Sequence, residues 1–261
     1  IQNANHGFYR DFRGIPVVGV KTDSGGDIKS MSKKFREVCK DSDLVIASPA
    51  DLACGLFGLK VIGINHGIYW DHKLKRLENS NLAEYRNIFD ALRLAARVVA
   101  VDTNFINWTR TYDYSMAEKL TYLPNYFDSK VFRPCDKEFD EKIRVLYPRR
   151  LYEARGIFIT LKAFDYLFSR FPEVELHLVG QANEEDGKIV SEFIESHRDR
   201  VIWEEFDMDD MHAVYQKSHI VLVPTLYAEG TSLSCIEAMA TNNALVATNI
   251  GGLPNLIIDG F

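Results

Sequence analysis

Short apolar runs rich in β-branched residues alternate, along the first half of the chain, with stretches in which apolar residues recur at helical spacing. Runs of four or five such residues are typical of buried strands. Five strands are predicted: Val17–Val20, Leu44–Ala47, Val61–Ile64, Arg97–Val101 and Leu120–Leu123. Four helical stretches accompany them: Ile28–Lys40, the short Ala50–Phe57, Asn81–Ala96 and Thr103–Tyr112. This alternation predicts a parallel, doubly wound sheet.

A second alternating series occupies the other half of the chain. Its predicted strands are Ile143–Tyr147, Val174–Val179, Val201–Trp203, Ile220–Val223 and Ala244–Ala247. Its predicted helices are Gly156–Phe171, Glu184–His197, Asp209–Lys217 and Leu233–Ala240. The aperiodic, acid-rich segment Asn125–Asp140 is interpreted as the linker. We therefore predict an α/β protein with two Rossmann-like doubly wound domains, residues 1–133 and 134–261, facing across a cleft.

Composition and charge narrow the class of protein. The 261 residues are 46% hydrophobic and 26% charged, as in a globular protein. The net charge of −6 is uneven: residues 1–133 carry 19 Lys and Arg against 15 Asp and Glu, or +4, and the remainder carries 12 against 22, or −10. No aromatic-basic pattern favours nucleic acid. Four cysteines without a C-x-x-C pair indicate reduced thiols and a cytoplasmic protein, with the inner face of a membrane as the alternative location.

The most informative stretch, Pro224–Met239, reads P-T-L-Y-A-E-G-T-S-L-S-C-I-E-A-M. It follows a buried-type strand and leads into a helix, so it belongs at the carboxyl edge of a sheet, where open α/β folds bind ligands. Its small residues allow close backbone approach to a ligand: Gly230, Thr231, Ser232 and Ser234. Free amides at the helix start suit an anion, and the carboxylates Glu229 and Glu237 suit sugar diols. The alternative is a solvated loop acid and an ordinary helix-face glutamate.

A second loop, after the first strand of the second half, reads Y-P-R-R-L-Y-E-A-R-G-I. Arg150 and Arg155 flank it, and Gly156 starts the next helix. Two fixed cations beside a helix N-terminus suit a pyrophosphate, because each planar guanidinium can bind two oxygens. The alternative is a pair of solvated loop arginines.

In the first half, V-I-G-I-N-H-G places His66 at the end of a strand, on the side of the proposed cleft. The functional interpretation is a group that orients a reacting sugar, and the alternative is a structural histidine. The following run, Asp71–Arg76, suits an anionic acceptor or peripheral contact with a membrane surface, unless it is a solvated loop. Gly251 and Gly252 permit close approach to a ligand, although an ordinary turn needs them too.

Two acidic runs have residue types that can bind a metal ion. Asp41-Ser42-Asp43 precedes its strand, at the wrong edge of the sheet, and Asp207–Asp210 is typical of helix capping. We therefore expect no catalytic metal.

Taken together, these motifs resemble those of family 4 retaining glycosyltransferases of the GT-B fold. The resemblance extends from about Val17 to Phe261. Four ordered elements carry it: P-N-x-x-D-x-x-x-F-x-P at Pro124–Pro134, R-L-x-x-x-[K/R]-G at Arg150–Gly156, E-x7-E at Glu229–Glu237 and G-G-x-P at Gly251–Pro254. Departures are Arg155 in place of lysine, Asn255 in place of a common glutamate, and Tyr126-Phe127 in place of Gly-Val.

The resemblance implies a nucleotide-diphosphate sugar donor bound by the second domain. By position, Glu229 would hold donor-sugar hydroxyls together with the backbone after Gly230, at Thr231, Ser232 and Leu233. Glu237 would bind the ribose. Arg150, Arg155 and the Ser234 amide would hold the diphosphate, and His66 would reach the sugar. The base is expected at the loop around Phe206–Met208.

The implied reaction is a metal-independent, cofactor-free transfer of the sugar to a carbohydrate, lipid-linked or other hydroxyl acceptor, in glycan, glycolipid or polysaccharide biosynthesis. The alternatives are a catalytically silent nucleotide-sugar-binding protein and a nucleotide-sugar epimerase of the same fold. The resemblance also leads us to expect that both domains are incomplete in this sequence. A first strand with its Gly-rich loop would precede Ile1, and a final crossing helix would follow Phe261.

Overall fold

The apolar runs of the first half form the strands of a layered α/β unit. The computed structural model describes residues 2–4, 7–21, 28–68 and 79–260. Up to Pro124 the strands are β1 (Gln2–Ala4), β2 (Phe8–Phe12), β3 (Ile15–Lys21), β4 (Val45–Ala47), β5 (Val61–Asn65), β6 (Arg97–Ala100) and β7 (Leu120–Tyr122). The helices are α1 (Ile28–Cys39), α2 (Asn79–Leu94), α3 (Thr103–Tyr112) and α4 (Tyr114–Ala117), and the predicted short helix is a 3₁₀ segment, Ala50–Gly55.

Strands β4 to β7 pair in chain order as a parallel sheet, as the alternation predicted. By register, the buried strand residues Val61 and Val98 lie on the same face of this sheet, and helices pack on that face in two clusters. One packs Leu92, Val98 and Phe105 together, and the other joins Phe35 to Val61.

The predicted strand at Val17–Val20 lies in a different sheet from the one expected. It is part of β3, which pairs parallel with β1 and antiparallel with β2 in a separate three-stranded sheet. A tight turn joins β2 to β3, with both Arg13 and Gly14 at positive φ and the Gly14 amide donating to Asp11. The antiparallel hairpin was not predicted, because Phe8–Phe12 reads F-Y-R-D-F, which is neither a continuous apolar run nor a strict alternation of polar and apolar residues.

The second unit holds one five-stranded parallel sheet. Its strands are β8 (Ile143–Pro148), β9 (Val174–Val179), β10 (Val201–Glu204), β11 (Ile220–Val223) and β12 (Ala244–Ala247). Its helices are α5 (Ile157–Arg170), α6 (Glu184–Ser196), α7 (Met211–Lys217) and α8 (Leu233–Ala240). The sheet order is β10-β9-β8-β11-β12. Its core also has two clusters, one around Tyr147 and Phe164 and one around Tyr215 and Val223.

The division between the units falls after Pro124, earlier than the predicted boundary after residue 133. The segment that was assigned to the first domain packs on the second. Phe132 is buried against Tyr215, with ring centroids 6.0 Å apart, and the Asn125 side chain donates to the Thr231 carbonyl at 2.9 Å. Because Phe132 is buried against Tyr215, the segment 125–133 belongs to the second unit.

None of the helices in the described ranges is both long and apolar enough to span a bilayer. The four cysteines are free thiols, three of them buried.

Candidate functional site

In the sheet of the second unit, the strand order reverses between β8 and β11. These strands are adjacent and parallel, with Val145 opposite Ile220, while β9 lies on the other side of β8. Open α/β sheets bind ligands at such a switch point, outside the carboxyl ends of the strands. The loop after β8 carries the arginines and the loop after β11 carries Glu229, so the topology brings the two predicted motifs together.

Two glycines set the spacing of these loops. Gly156 has φ +83°, and a Cβ there would overlap the Pro224 carbonyl. Gly251 has φ +57°, and a Cβ there would overlap the Glu229 carbonyl, which also accepts a hydrogen bond from the Gly252 amide at 2.8 Å. The close approach expected at Gly251 and Gly252 is therefore, in the described structure, an approach to the Glu229 backbone.

The buried hydroxyl of Tyr147 holds both ends of the loop from Arg150 to Arg155. It donates to the carbonyls of Arg155 at 2.9 Å and Arg150 at 3.3 Å. Burial raises the pKa of Tyr147, so the hydroxyl remains a donor at neutral pH. Sequence analysis missed this role because Tyr147 reads as an ordinary apolar strand residue.

Glu229 is held by three donors on one of its oxygens. Oε2 accepts from Arg155 Nη1 at 2.7 Å, from Thr225 Oγ1 at 2.8 Å and from Arg149 Nη2. The Glu229 side chain is only 10% exposed. Within the described part of the chain, its other oxygen, Oε1, has no hydrogen-bond partner. One oxygen is thus anchored and the other is left for a ligand.

Arg149 was not among the predicted site residues. Its side chain is 8% exposed, and its Nη2 forms the ion pair with Glu229. Its Nη1 is buried and has no hydrogen-bond partner among the described residues. The P-R-R sequence contained the signal, but two adjacent strand-end residues point to different sides, and only the pairing of β8 with β11 shows which arginine faces Glu229.

The two predicted diphosphate arginines differ in their surroundings. Arg150 is exposed at the start of the loop. Arg155 is 29% exposed and also donates to the Ala228 carbonyl and the Tyr152 hydroxyl, both at 3.1 Å. Burial alone would lower the pKa of Arg155, but the Glu229 carboxylate raises it above its ordinary value, so Arg155 remains a cation.

A cavity of about 970 Å³ opens beside these loops. The predicted site residues among those lining it are Arg150, Leu233, Ser234 and Glu237, together with Phe206 and Met208 from the loop expected to contact a base. Arg149 also lines the cavity, whereas Arg155 and Glu229 lie outside its lining. The structure therefore brings Arg150 and Ser234 to one cavity, with Arg155 held behind them by Glu229.

The start of α8 contributes backbone amides to this cavity. Ser232 is the N-cap residue, and within the described ranges its side chain makes no capping hydrogen bond to the first amides of the helix. Gly230, Thr231 and Ser232 are buried in the loop, and the Ser234 hydroxyl donates to the Pro148 carbonyl at 3.1 Å. A helix start fixed in this way can bind an anion.

Glu237 lies one helical turn further along α8. Burial raises the pKa of its carboxyl, and the neighbouring Tyr215 hydroxyl offsets part of this rise. Ser234 also contacts Tyr215. Tyr215 also lines the cavity, and it was not among the predicted site residues.

His66 belongs to the first unit, at the carboxyl end of β5. It is exposed, and its Nε2 lies 2.8 Å from the Ser48 hydroxyl. Asp71–Arg76, predicted to face an acceptor or a membrane, lies outside the described residues. Asp210 takes the N-cap position of α7 but makes no side-chain capping bond there. In the described ranges no three His, Cys, Asp or Glu side chains cluster closely enough to hold a metal ion.

The second unit matches a known protein family. The family model for glycosyl transferases group 1 matches residues 129–261. The lipopolysaccharide 1,2-N-acetylglucosaminetransferase of Salmonella typhimurium is 27% identical over 124 residues, 44% of this chain and 32% of that protein. The D-inositol 3-phosphate glycosyltransferase of Paenarthrobacter aurescens is 26% identical over 161 residues, 55% of this chain and 38% of that protein. The chain thus spans about a third of the length of these relatives.

A solved structure extends the likeness to both units. Anabaena HepE in complex with UDP and glucose superposes with a TM-score of 0.73 at 20% identity, over 95% of this chain and 71% of that protein. At this identity the superposition establishes a shared fold.

Proposed function

Because this chain belongs to the glycosyl transferases group 1 family, we propose that it is a retaining glycosyltransferase that moves a sugar from a nucleotide-diphosphate sugar to an acceptor hydroxyl. Its fold is the GT-B fold, as the sequence predicted. The retaining outcome, the donor and the acceptor are parts of the proposal.

One observation supports the donor site. At the switch point, the cavity is lined by the exposed Arg150, by the start of α8 and by Glu237, and Glu229 is anchored beside it. Glu229 offers its unpartnered oxygen to donor-sugar hydroxyls, together with the backbone at Thr231, Ser232 and Leu233. Arg150, Arg155 and the Ser234 amide bind the diphosphate, and Glu237 accepts from the ribose diol. In support, Arg150, Ser234 and Glu237 line the cavity, and Glu229 is joined to the cavity-lining Arg149 by a hydrogen bond.

In the proposed reaction, the bond between the anomeric carbon and the diphosphate oxygen breaks, and the acceptor oxygen bonds to that carbon on the same face. The acceptor proton passes to the departing diphosphate. Negative charge grows on the diphosphate as the bond breaks, and preorganised arginines and helix amides stabilise such charge without having to reorient. The proposal assigns no metal and no cofactor, and it assigns His66 to orient the sugar.

The acceptor in this proposal is a carbohydrate or a lipid-linked hydroxyl compound. The names of the relatives support this class, since one relative is named for lipopolysaccharide and the other for inositol phosphate. A donor carrying uridine diphosphate is the first to test, since HepE was solved with UDP and glucose.

The deciding experiment is incubation of the protein with UDP-, GDP- and ADP-sugars, with and without added hydroxyl acceptors, in buffer containing EDTA. We expect slow hydrolysis of one donor, faster turnover with a suitable acceptor, and a product whose anomeric NMR coupling matches that of the donor. Binding of a donor without any turnover would instead indicate the silent binding protein. Release of a free sugar inverted at carbon 2 would indicate the epimerase.

A further inference from the structure

Arg149 presents a buried donor that the protein itself does not satisfy. Its guanidinium is held from one side only, by the bond from Nη2 to Glu229 Oε2. Nη1 is enclosed and has no acceptor among the described residues. Buried guanidinium N–H groups are nearly always hydrogen-bonded, because an unmade bond there costs the full desolvation of the group. Among the described residues, this donor is left free to bind a ligand.

The charges around Arg149 favour an anionic acceptor. Arg149 and Arg155 share one carboxylate, that of Glu229, so the three groups together carry one positive charge in excess. Side-chain exposures of 8%, 29% and 10% mean that water screens this excess only weakly. A neutral hydroxyl would satisfy the hydrogen bond but leave the excess charge, whereas a phosphate oxygen satisfies both.

The position of Arg149 selects one phosphate of the two. Arg149 lines the same cavity as Arg150 and Ser234, and its carbonyl packs against Gly180, which has φ +146° and no room for a side chain. Among the described residues, the side-chain partner of Arg149 is Glu229, the acid assigned to the donor sugar. Arg149 therefore lies at the sugar end of the diphosphate, away from Glu237 at the ribose end.

We infer that Arg149 is a further donor-binding residue, in which Nη2 anchors Glu229 while Nη1, after a small rotation of the guanidinium, donates to the phosphate that carries the sugar. This inference rests on the proposed function and deepens it. Arg149 is then a third arginine of the site. It links Glu229, which binds the sugar, to the phosphate that leaves.

Arg149→Lys tests the inference, because lysine keeps the positive charge but has one nitrogen and cannot serve Glu229 and a phosphate in the same geometry. Binding of UDP, GDP and ADP and of the matching monophosphates is measured by calorimetry on the wild-type and variant proteins. We expect the variant to bind the preferred diphosphate about ten- to a hundredfold more weakly, the loss typical of one charged hydrogen bond, and the monophosphate equally well.

Thr225→Val is the matched control. It removes another hydrogen bond to the same Glu229 oxygen but leaves Arg149 in place. If Arg149 acted only by holding Glu229, both variants would bind the diphosphate as the wild type does and would differ from it only with the nucleotide sugar. Diphosphate affinity retained in Arg149→Lys, or lost equally for the monophosphate, would overturn the inference.

Thermal unfolding of each variant, followed by circular dichroism, verifies that the fold is intact. If Arg149→Lys unfolds, Arg149→Gln repeats the test with a neutral side chain of smaller volume, and the same selective loss of diphosphate binding is expected. A wild-type protein that binds none of these nucleotides would refute the proposed function itself, which separates the two failures.

Discussion

Two side chains of the site bind the protein through one polar atom and leave another polar atom without a partner among the described residues. Glu229 offers Oε1 after three donors have bound Oε2, and Arg149 offers Nη1 after Nη2 has bound Glu229. Arg150, in contrast, is exposed at the cavity wall. Side chains held on one side by the protein need little reordering when a ligand binds the other side, which lowers the entropic cost of binding.

Arg150→Ala should lower turnover about ten- to a hundredfold, because a charged hydrogen bond to the leaving diphosphate is worth about 1.5–3 kcal/mol. Steady-state rates with the preferred donor provide the measurement. Arg198→Ala is the control, since Arg198 is an exposed residue of the same unit whose pairing with Glu195 is long, at 3.9 Å. Equal turnover in both variants would remove Arg150 from the diphosphate site.

The raised pKa of Glu237 predicts that nucleotide binding depends on pH. Burial raises the pKa of its carboxyl above the ordinary 4.5, so the ionised form, which accepts from a ribose diol, is populated only as the pH rises through that raised value. Nucleotide affinity should therefore increase across this range in the wild type. The ratio of wild-type to Glu237→Gln affinity cancels ionisation of the phosphates. A ratio that stays flat with pH would contradict the ribose assignment.

The same shift has the opposite effect on folding. An acid whose pKa is raised in the folded state binds its proton more tightly there than in the unfolded chain. Glu237 therefore contributes a loss of stability as the pH rises from about its ordinary value through the raised one. The Glu237→Gln variant should lack this slope when its free energy of unfolding is measured across the same pH range.

At the scale of elements, the site is a set of loops clamped at the ends of β8, β11 and β12. Gly156 packs on Pro224, Gly251 packs on Glu229 and the Leu226 amide donates to the Ala154 carbonyl. These are backbone contacts, so they position the loops whichever side chains the loops carry. The strand-to-helix turns thereby act as a rigid frame for the charged groups.

Gly251→Ala should break this frame. The new methyl group would meet the Glu229 carbonyl, and the positive φ adds backbone strain, so we expect destabilisation of about 1–3 kcal/mol and loss of donor turnover. Gly260→Ala is a matched control, because Gly260 also has positive φ but its Cβ would meet no atom within 4 Å. Melting temperatures and turnover of the two variants separate strain from overlap. A Gly251 variant as stable and active as the Gly260 variant would contradict the clamp.

At the scale of the whole molecule, the chain is built from two units that differ in charge. Each has its own parallel sheet and its own buried clusters. The residues assigned to the donor all belong to the second unit except His66, and the second unit is also the part matched by the family model. Each unit is therefore expected to fold on its own core.

The boundary after Pro124 can be tested with two fragments. Residues 125–261 should fold and bind the preferred nucleotide, whereas residues 134–261 should be less stable by about 3–5 kcal/mol, the typical cost of deleting a buried phenylalanine. The physical reason is the loss of Phe132 from its place beside Tyr215. Chemical denaturation of both fragments gives the difference. Equal stability would restore the boundary after residue 133.

The sequence by itself determined the elements and their class, because these depend on local patterns. Apolar runs and helical spacing gave the bounds of α3, β9, β11 and α8 without error, and the small-residue loop between two glutamates pointed to the correct end of a strand. The missed hairpin at β2 and β3 has a weaker local signal, since one turn rather than an apolar run defines it.

Only the tertiary structure decided which side chains meet. Arg149 and Glu229 are 80 residues apart in sequence and come together because β8 pairs with β11. Phe132 belongs to the second unit because its ring packs against Tyr215. Contacts of this kind depend on strand order and on the packing of distant elements, which no local pattern encodes. The sequence thus placed the two loops at the carboxyl ends of their strands, and the sheet order decided which arginine contacts Glu229.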